Sequence, residues 1–174
     1  MTIHSKLAGD IALLVLDVDG VMTDGRVIYG NSGEEIKAFN IKDGLGIKLL
    51  QRVGIEVAII TGRRSQVVER RASGLGIGHI IQGREDKRVA LEELTTAMGL
   101  SIEQSAYMGD DLPDLGAINA AALGACPADA VEPIRDAADW VATVRGGHGA
   151  VRELAEMLLR SRGQWDELIA EYGA

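Results

Sequence analysis

The chain has 174 residues, 47% of them hydrophobic and 25% charged, a balance that suits one soluble domain with a full hydrophobic core. Aromatic residues make up only 3% and the formal net charge is −8, so stacking on bases has few candidates and nonspecific nucleic-acid binding is disfavoured. Cys126 is the only cysteine, which excludes an internal disulfide and argues against a cysteine-based metal site. Met1 to Asp10 carries no apolar leader core, and no run approaches membrane-spanning length, so we expect a soluble cytoplasmic protein.

Ile11 to Leu16 is an unbroken apolar run ending in Asp17-Val18-Asp19-Gly20, which reads as a strand buried on both faces. Strand periodicity puts Asp17 and Asp19 on one side, at the edge where open α/β sheets bind ligands. Two carboxylates so placed repel each other unless one holds a proton or a cation neutralises the pair. Arg26–Tyr29 and Glu34–Phe39 flank Gly30-Asn-Ser-Gly33, predicting a hairpin over about 26–39 with a four-residue loop. Its strands are poor in apolar residues, so it is expected to project from the core or pair with another chain.

Leu45, Leu49, Leu50 and Val53 mark a helix that stops at Gly54. Ile55–Ile60 is a second buried strand running into Thr61-Gly62-Arg63-Arg64-Ser65, and Gln66–Ala72 is a helix with Ser65 as N-cap. His79–Ile81 is a third strand. Asp86–Met98 is a helix closed by Gly99, and Ser105–Met108 is a fourth strand ending in Gly109-Asp110-Asp111-Leu-Pro113-Asp114. Leu123–Cys126 and Trp140–Ala142 suit further strands. Gly146-Gly147-His148-Gly149 is a loop before a tail helix over about 150–172, and His148 is assigned no chemistry. Alternating strands and helices predict a parallel α/β sheet in a single domain spanning 1–174.

Several strand ends therefore carry groups suited to phosphate or metal. Asp17, Asp19 and Asp110 make a hard oxygen set appropriate to Mg²⁺. Thr61 offers a hydroxyl, the Gly62 backbone an N–H, and Lys87 a positive charge, all matched to phosphate oxygens. Each alone also reads as ordinary structure: a turn, a solvated lysine, or a helix-capping acidic pair. Their recurrence at the ends of successive strands favours a common site.

Asp17-Val-Asp-Gly20, Thr61-Gly62, Lys87 and Gly109-Asp-Asp-x-x-Asp114 match, in order, the four motifs of the haloacid dehalogenase-like (HAD) superfamily. The segment from Asp17 to Gly46 and the tail Gly146-Gly-His-Gly-Ala-Val-Arg-Glu-Leu154 further resemble the 3-deoxy-D-manno-octulosonate 8-phosphate (KDO 8-phosphate) phosphatase family. The resemblance implies a Rossmann-like HAD core without a cap domain, since only the hairpin and one helix lie between Asp19 and Thr61. It implies an aspartyl-phosphate on Asp17, proton transfer by Asp19, and phosphoryl stabilisation by Thr61 and Lys87. Mg²⁺ would be held by Asp17, the Asp19 backbone carbonyl and Asp110, with Asp111 and Asp114 orienting ligands behind them.

Sugar contacts carried over from the family are Asn40, Ile41, Lys42, Asp43, Gly44, Lys48, Arg63 and Arg71, with Asp19, Gly62 and Lys87 also touching substrate. Lys42 and Lys48 stand where some relatives have arginine; they keep the charge and lose the bidentate fork for a carboxylate. The resemblance also implies a homotetramer whose neighbours complete each site, and a place in lipopolysaccharide precursor synthesis. A nine-carbon, sialic-acid-type sugar acid 9-phosphate is the alternative substrate. A receiver-type phospho-accepting domain and a catalytically retired scaffold are the remoter readings.

Overall fold

The computed structural model describes residues 10–174; the first nine residues, included above in the single domain and in the reading of the N-terminus, lie outside the described residues. The chain runs β1 (Leu13–Leu16), β2 (Ile28–Tyr29), β3 (Glu35–Ile36), α1 (Ile41–Arg52), β4 (Glu56–Thr61), α2 (Gln66–Leu75), β5 (His79–Gln82) and α3 (Lys87–Ala97). It continues with β6 (Ser105–Met108), α4 (Leu115–Ala120), β7 (Leu123–Cys126), α5 (Glu132–Ala137), β8 (Trp140–Val141), α6 (Ala150–Ser161) and α7 (Trp165–Gly173).

Six strands form one sheet in the order β5-β4-β1-β6-β7-β8, all paired in parallel. β1 lies between β4 and β6, which is why its residues are all apolar and all buried. Alternation along the strands sorts the core into two layers. Leu14, Leu16, Val57, Ile59 and Met108 face Ile47 and Leu50 of α1, Val68 and Leu75 of α2, and Val151, Leu154 and Leu158 of α6. Leu13, Val15, Ala58, Ile60 and Tyr107 face Leu91 and Leu94 of α3, Ile118 of α4 and Ile134 of α5. After β1 the chain builds β4 and β5 on one side, then crosses to β6 on the other. The C-terminal ends of β1 and β6 therefore flank a topological switch point, where such sheets form a ligand crevice.

Some sequence expectations change. The tail is two helices rather than one over 150–172: Gly163 takes φ 69° and breaks it, and Trp165 seats α7 on α6 with the Arg152 and Arg160 guanidiniums 5.5 and 4.8 Å from its ring. The short helix α5, with Pro133 in its first turn, is an addition. Pro113 sits in a 3₁₀ turn, Leu112–Asp114, ahead of α4, with Asp111 as its cap. The hairpin strands have two residues each, and the pairing Tyr29 with Glu35 leaves a five-residue connection instead of four.

Candidate active site

β1 delivers Asp17 to the switch point, where its N–H donates to Met108 O at 3.0 Å and extends the ladder with β6. The Asp17 side chain is buried, with Oδ2 3.1 Å from Lys87 Nζ and Oδ1 without a hydrogen-bond partner among the described residues. Lys87, the first residue of α3, is also buried and donates to Asp114 Oδ1 at 2.6 Å. Asp114 Oδ1 further accepts from the Tyr107 hydroxyl at 2.7 Å, and Oδ2 accepts from the Asp110 and Asp111 amides at 3.1 and 3.2 Å. Asp114 thereby fixes both Lys87 and the loop that presents Asp110.

Asp110 lies against the loop that follows Asp17 and Asp19. Gly20 adopts φ 89°, and a Cβ there would fall 1.9 Å from Asp110 Oδ2, so glycine is required both by the turn and by the carboxylate beside it. Carboxylate oxygens of Asp17, Asp110 and Asp114 lie within 4.8 Å of one another. Burial, then the Asp114 charge, raises Asp17 to about 7, despite the opposing pull of Lys87. Burial, then Asp17 and Asp114, raises Asp110 to about 8. Burial would lower Lys87, but Asp17 and Asp114 outweigh it and hold the ammonium above the usual lysine range. One lysine against three carboxylates leaves the cluster short of positive charge. The all-oxygen donor set, the unpartnered Asp17 Oδ1 and the tight Gly20 cradle fit a hard divalent cation such as Mg²⁺.

Thr61, at the end of β4, is buried and lines the same cleft of about 330 Å³, together with Asp17, Asp19, Gly62, Arg63, Lys87, Asp110, Asp111 and Asp114. Gly25, Glu85 and Pro113 complete its wall. On the far side, Asp19 is held by the hairpin. Its Oδ1 meets Lys37 Nζ, and its Oδ2 is 3.7 Å from Arg63 Nε. Arg63 also donates to the Tyr29 hydroxyl at 2.8 Å and to Glu35 at 3.3 Å. Glu35 accepts from the Ser65 hydroxyl as well, and that bond, with Lys37 and Arg63 nearby, holds its carboxyl below the usual range. Ser65 thus stands at the N-cap position of α2 without using its side chain to cap. The hairpin does not simply project: Glu35 and Lys37 tie it to the chain's own site, while Ile28 and Ile36 stay exposed.

The remaining sugar-contact candidates stand apart from this cleft. Asn40 caps α1 by accepting from Lys42 N at 2.9 Å and donates to Gly147 O at 3.3 Å. Ile41, Lys42 and Lys48 are exposed. Asp43 and Gly44 are buried. Asp43 accepts from the Arg152 amide at 2.8 Å at the start of α6, and Gly44 lies under Arg71. Arg71 donates to Asn40 O at 3.2 Å and covers the Phe39 ring.

A family model of the haloacid dehalogenase-like hydrolases matches residues 65–154. KDO 8-phosphate phosphatase KdsC of Escherichia coli K12 is 46% identical over 160 residues, 92% of this chain and 85% of that protein. The chain belongs to the KDO 8-phosphate phosphatase family of these hydrolases. Another family member, from Yersinia pestis, is 48% identical over 152 residues, 87% of this chain and 81% of its own. Among solved structures of the family, the Moraxella catarrhalis phosphatase in complex with a magnesium ion, a phosphate ion and KDO superposes with a TM-score of 0.96 at 46% identity, covering 97% of each chain. The cobalt-bound Haemophilus influenzae family member gives 0.89 at 40% identity, covering 91% of this chain and 93% of that one.

Proposed function

We propose that the chain hydrolyses KDO 8-phosphate to KDO and inorganic phosphate, with Asp17 as the nucleophile. The observation that carries this is the convergence of Asp17, Lys87, Asp110 and Asp114 at the β1/β6 switch point, with Thr61 and Gly62 across the same cleft. An Asp17 oxygen attacks phosphorus, the bond to the sugar's C8 oxygen breaks, and Asp19 supplies the proton that this oxygen takes up. Asp19 then accepts a proton from the water that attacks phosphorus and frees the Asp17 carboxylate. Lys87 holds Asp17 and faces the phosphoryl oxygens, while Thr61 and the Gly62 amide cradle them. Mg²⁺, held by Asp17, Asp110 and the Asp19 carbonyl, would supply charge to the transferring phosphoryl group. Asp111 and Asp114 orient that set.

Arg63 is the sugar-acid contact that this chain offers its own cleft. Asn40, Ile41, Lys42, Lys48 and Arg71 belong to an outer face, which this reading assigns to a homotetramer in which neighbours close the open clefts. The exposed apolar residues Val27, Ile28, Tyr29 and Ile36 support such an assembly. Among the described residues no helix is long and apolar enough to cross a membrane. The reading treats residues 1–174 as one phosphatase domain acting in the cytoplasm, where lipopolysaccharide precursor synthesis would need it.

The relatives' names support the eight-carbon substrate over a nine-carbon sugar acid 9-phosphate, and a hydrolytic enzyme over a receiver domain or a retired scaffold. The test is phosphate release from both sugar acid phosphates, with Mg²⁺ and with EDTA. Metal-dependent preference for KDO 8-phosphate is expected. Preference for the nine-carbon ester would move the substrate and keep the chemistry, and no release from either would overturn the reading.

A further inference from the structure

Lys37 follows β3 on a hairpin whose paired strands are largely exposed, yet none of its side chain reaches solvent. An ammonium enclosed in this way is costly unless paired. Its partners are Asp19 Oδ1 and, at 3.5 Å, Glu35 Oε1. Glu35 and Lys37 are two residues apart and so share a strand face, with Ile36 turned outward. Glu35 is anchored in turn by the buried Ser65 hydroxyl on the loop after β4. The other cation on Asp19, Arg63, is 45% exposed and divided among Tyr29, Glu35 and Asp19. Lys37 is therefore the enclosed anchor of this cluster and Arg63 the accessible member.

We infer that Lys37 is a positioning residue for the reaction: from the hairpin, it fixes the Asp19 carboxyl group in the orientation that serves the leaving oxygen. The consequence is that the hairpin belongs to the catalytic machinery as well as to the surface. This rests on the proton-transfer role proposed above for Asp19.

The test uses the full chain with Mg²⁺ and two esters: KDO 8-phosphate, whose alkoxide needs a proton, and p-nitrophenyl phosphate, whose phenolate leaves without one. kcat/KM reports the steps through loss of the leaving group. Lys37→Met and Lys37→Gln are expected to lower it about 100-fold for the sugar phosphate, the scale of one proton-transfer group, and at least about tenfold less for the aryl ester. Lys37→Arg, which keeps the charge, should recover part of the loss. Both esters are assayed on one preparation, so the ratio is independent of the folded fraction. Asp19→Asn is the reference and should show the same asymmetry. If it does, and the Lys37 variants lose equally on both esters or lose nothing, the positioning role is overturned while the Asp19 role stands. If Asp19→Asn shows no asymmetry, the Asp19 role fails and this inference with it.

Discussion

As the proposed nucleophile Asp17 must be anionic, yet its burial and its acidic neighbours push it the other way, to about 7. Lys87 offsets part of that, and a bound cation would offset the rest. Asp17→Asn should reduce phosphate release by at least about 10⁴-fold, because the nucleophile is removed while the group's volume is kept; circular dichroism should show the fold unchanged, and substantial residual turnover would refute the assignment. The same strain predicts a pH dependence of stability. Asp17 and Asp110 bind protons more tightly folded than unfolded, with values near 7 and 8 against an ordinary 3.8. Their favourable contribution is complete below about pH 4 and is lost as pH rises through about 7 to 8. In EDTA, the melting temperature should fall between pH 5 and pH 8. Added Mg²⁺ should raise it more at pH 8 than at pH 5. A flat profile in EDTA would show that these carboxylates carry no such strain.

Between residues and fold, the loop Gly146–Gly149 links several elements. Gly147 N donates to Val21 O at 2.9 Å, Gly146 N donates to Asp129 Oδ1 at 3.0 Å, and Asn40 holds Gly147 O. His148 Nδ1 lies 2.8 Å from Gly146 O and shapes the loop itself. A Cβ on Gly146 would sit 1.7 Å from Gly20 O, so the glycine allows the tail to lie directly on the loop that follows Asp17 and Asp19. Asp43 secures the same loop from below by accepting from the start of α6. Gly146→Ala should cost at least about 1–3 kcal/mol in thermal unfolding, the usual cost of overpacking, and should lower kcat because Gly20 is displaced. Gly78→Ala, which meets nothing within 4 Å among the described residues, is the control and should stay within about 0.5 kcal/mol. Equal effects at the two positions would contradict this account.

For the whole molecule, the hairpin has two faces with different destinations. Its charged side is turned to the chain's own Asp19 and Arg63, and its apolar side, with Ile28 and Ile36 about half exposed, is left without a partner among the described residues. Ile28→Glu is expected to shift the mass measured by light scattering from a tetramer to smaller species and to lower activity on KDO 8-phosphate by about tenfold or more, on the scale of a lost interface anchor. A wild-type chain that is monomeric at full activity would refute the shared-site assembly.

The amino-acid sequence by itself determined the parallel sheet and the polar groups at its strand ends. Apolar runs closed by Asp17, Thr61 and Asp110 read as buried strands with polar ends, because a strand buried on both faces must be apolar and its polar residues collect at its end. What lay beyond local pattern was decided only by tertiary structure. The alternation Glu35-Ile36-Lys37 shows two faces, but its letters do not say which one meets the site. Asn40 and Asp43 bond to Gly147 and Arg152, more than a hundred residues away along the chain, so nothing near them in sequence marks them as clamps. The break between α6 and α7 rests on Gly163, whose φ of 69° is one option among several for a glycine until Trp165 packs under Arg152 and Arg160. Strand ends follow from solvation, which is local, whereas the partners of a buried charge follow from the path of the whole chain.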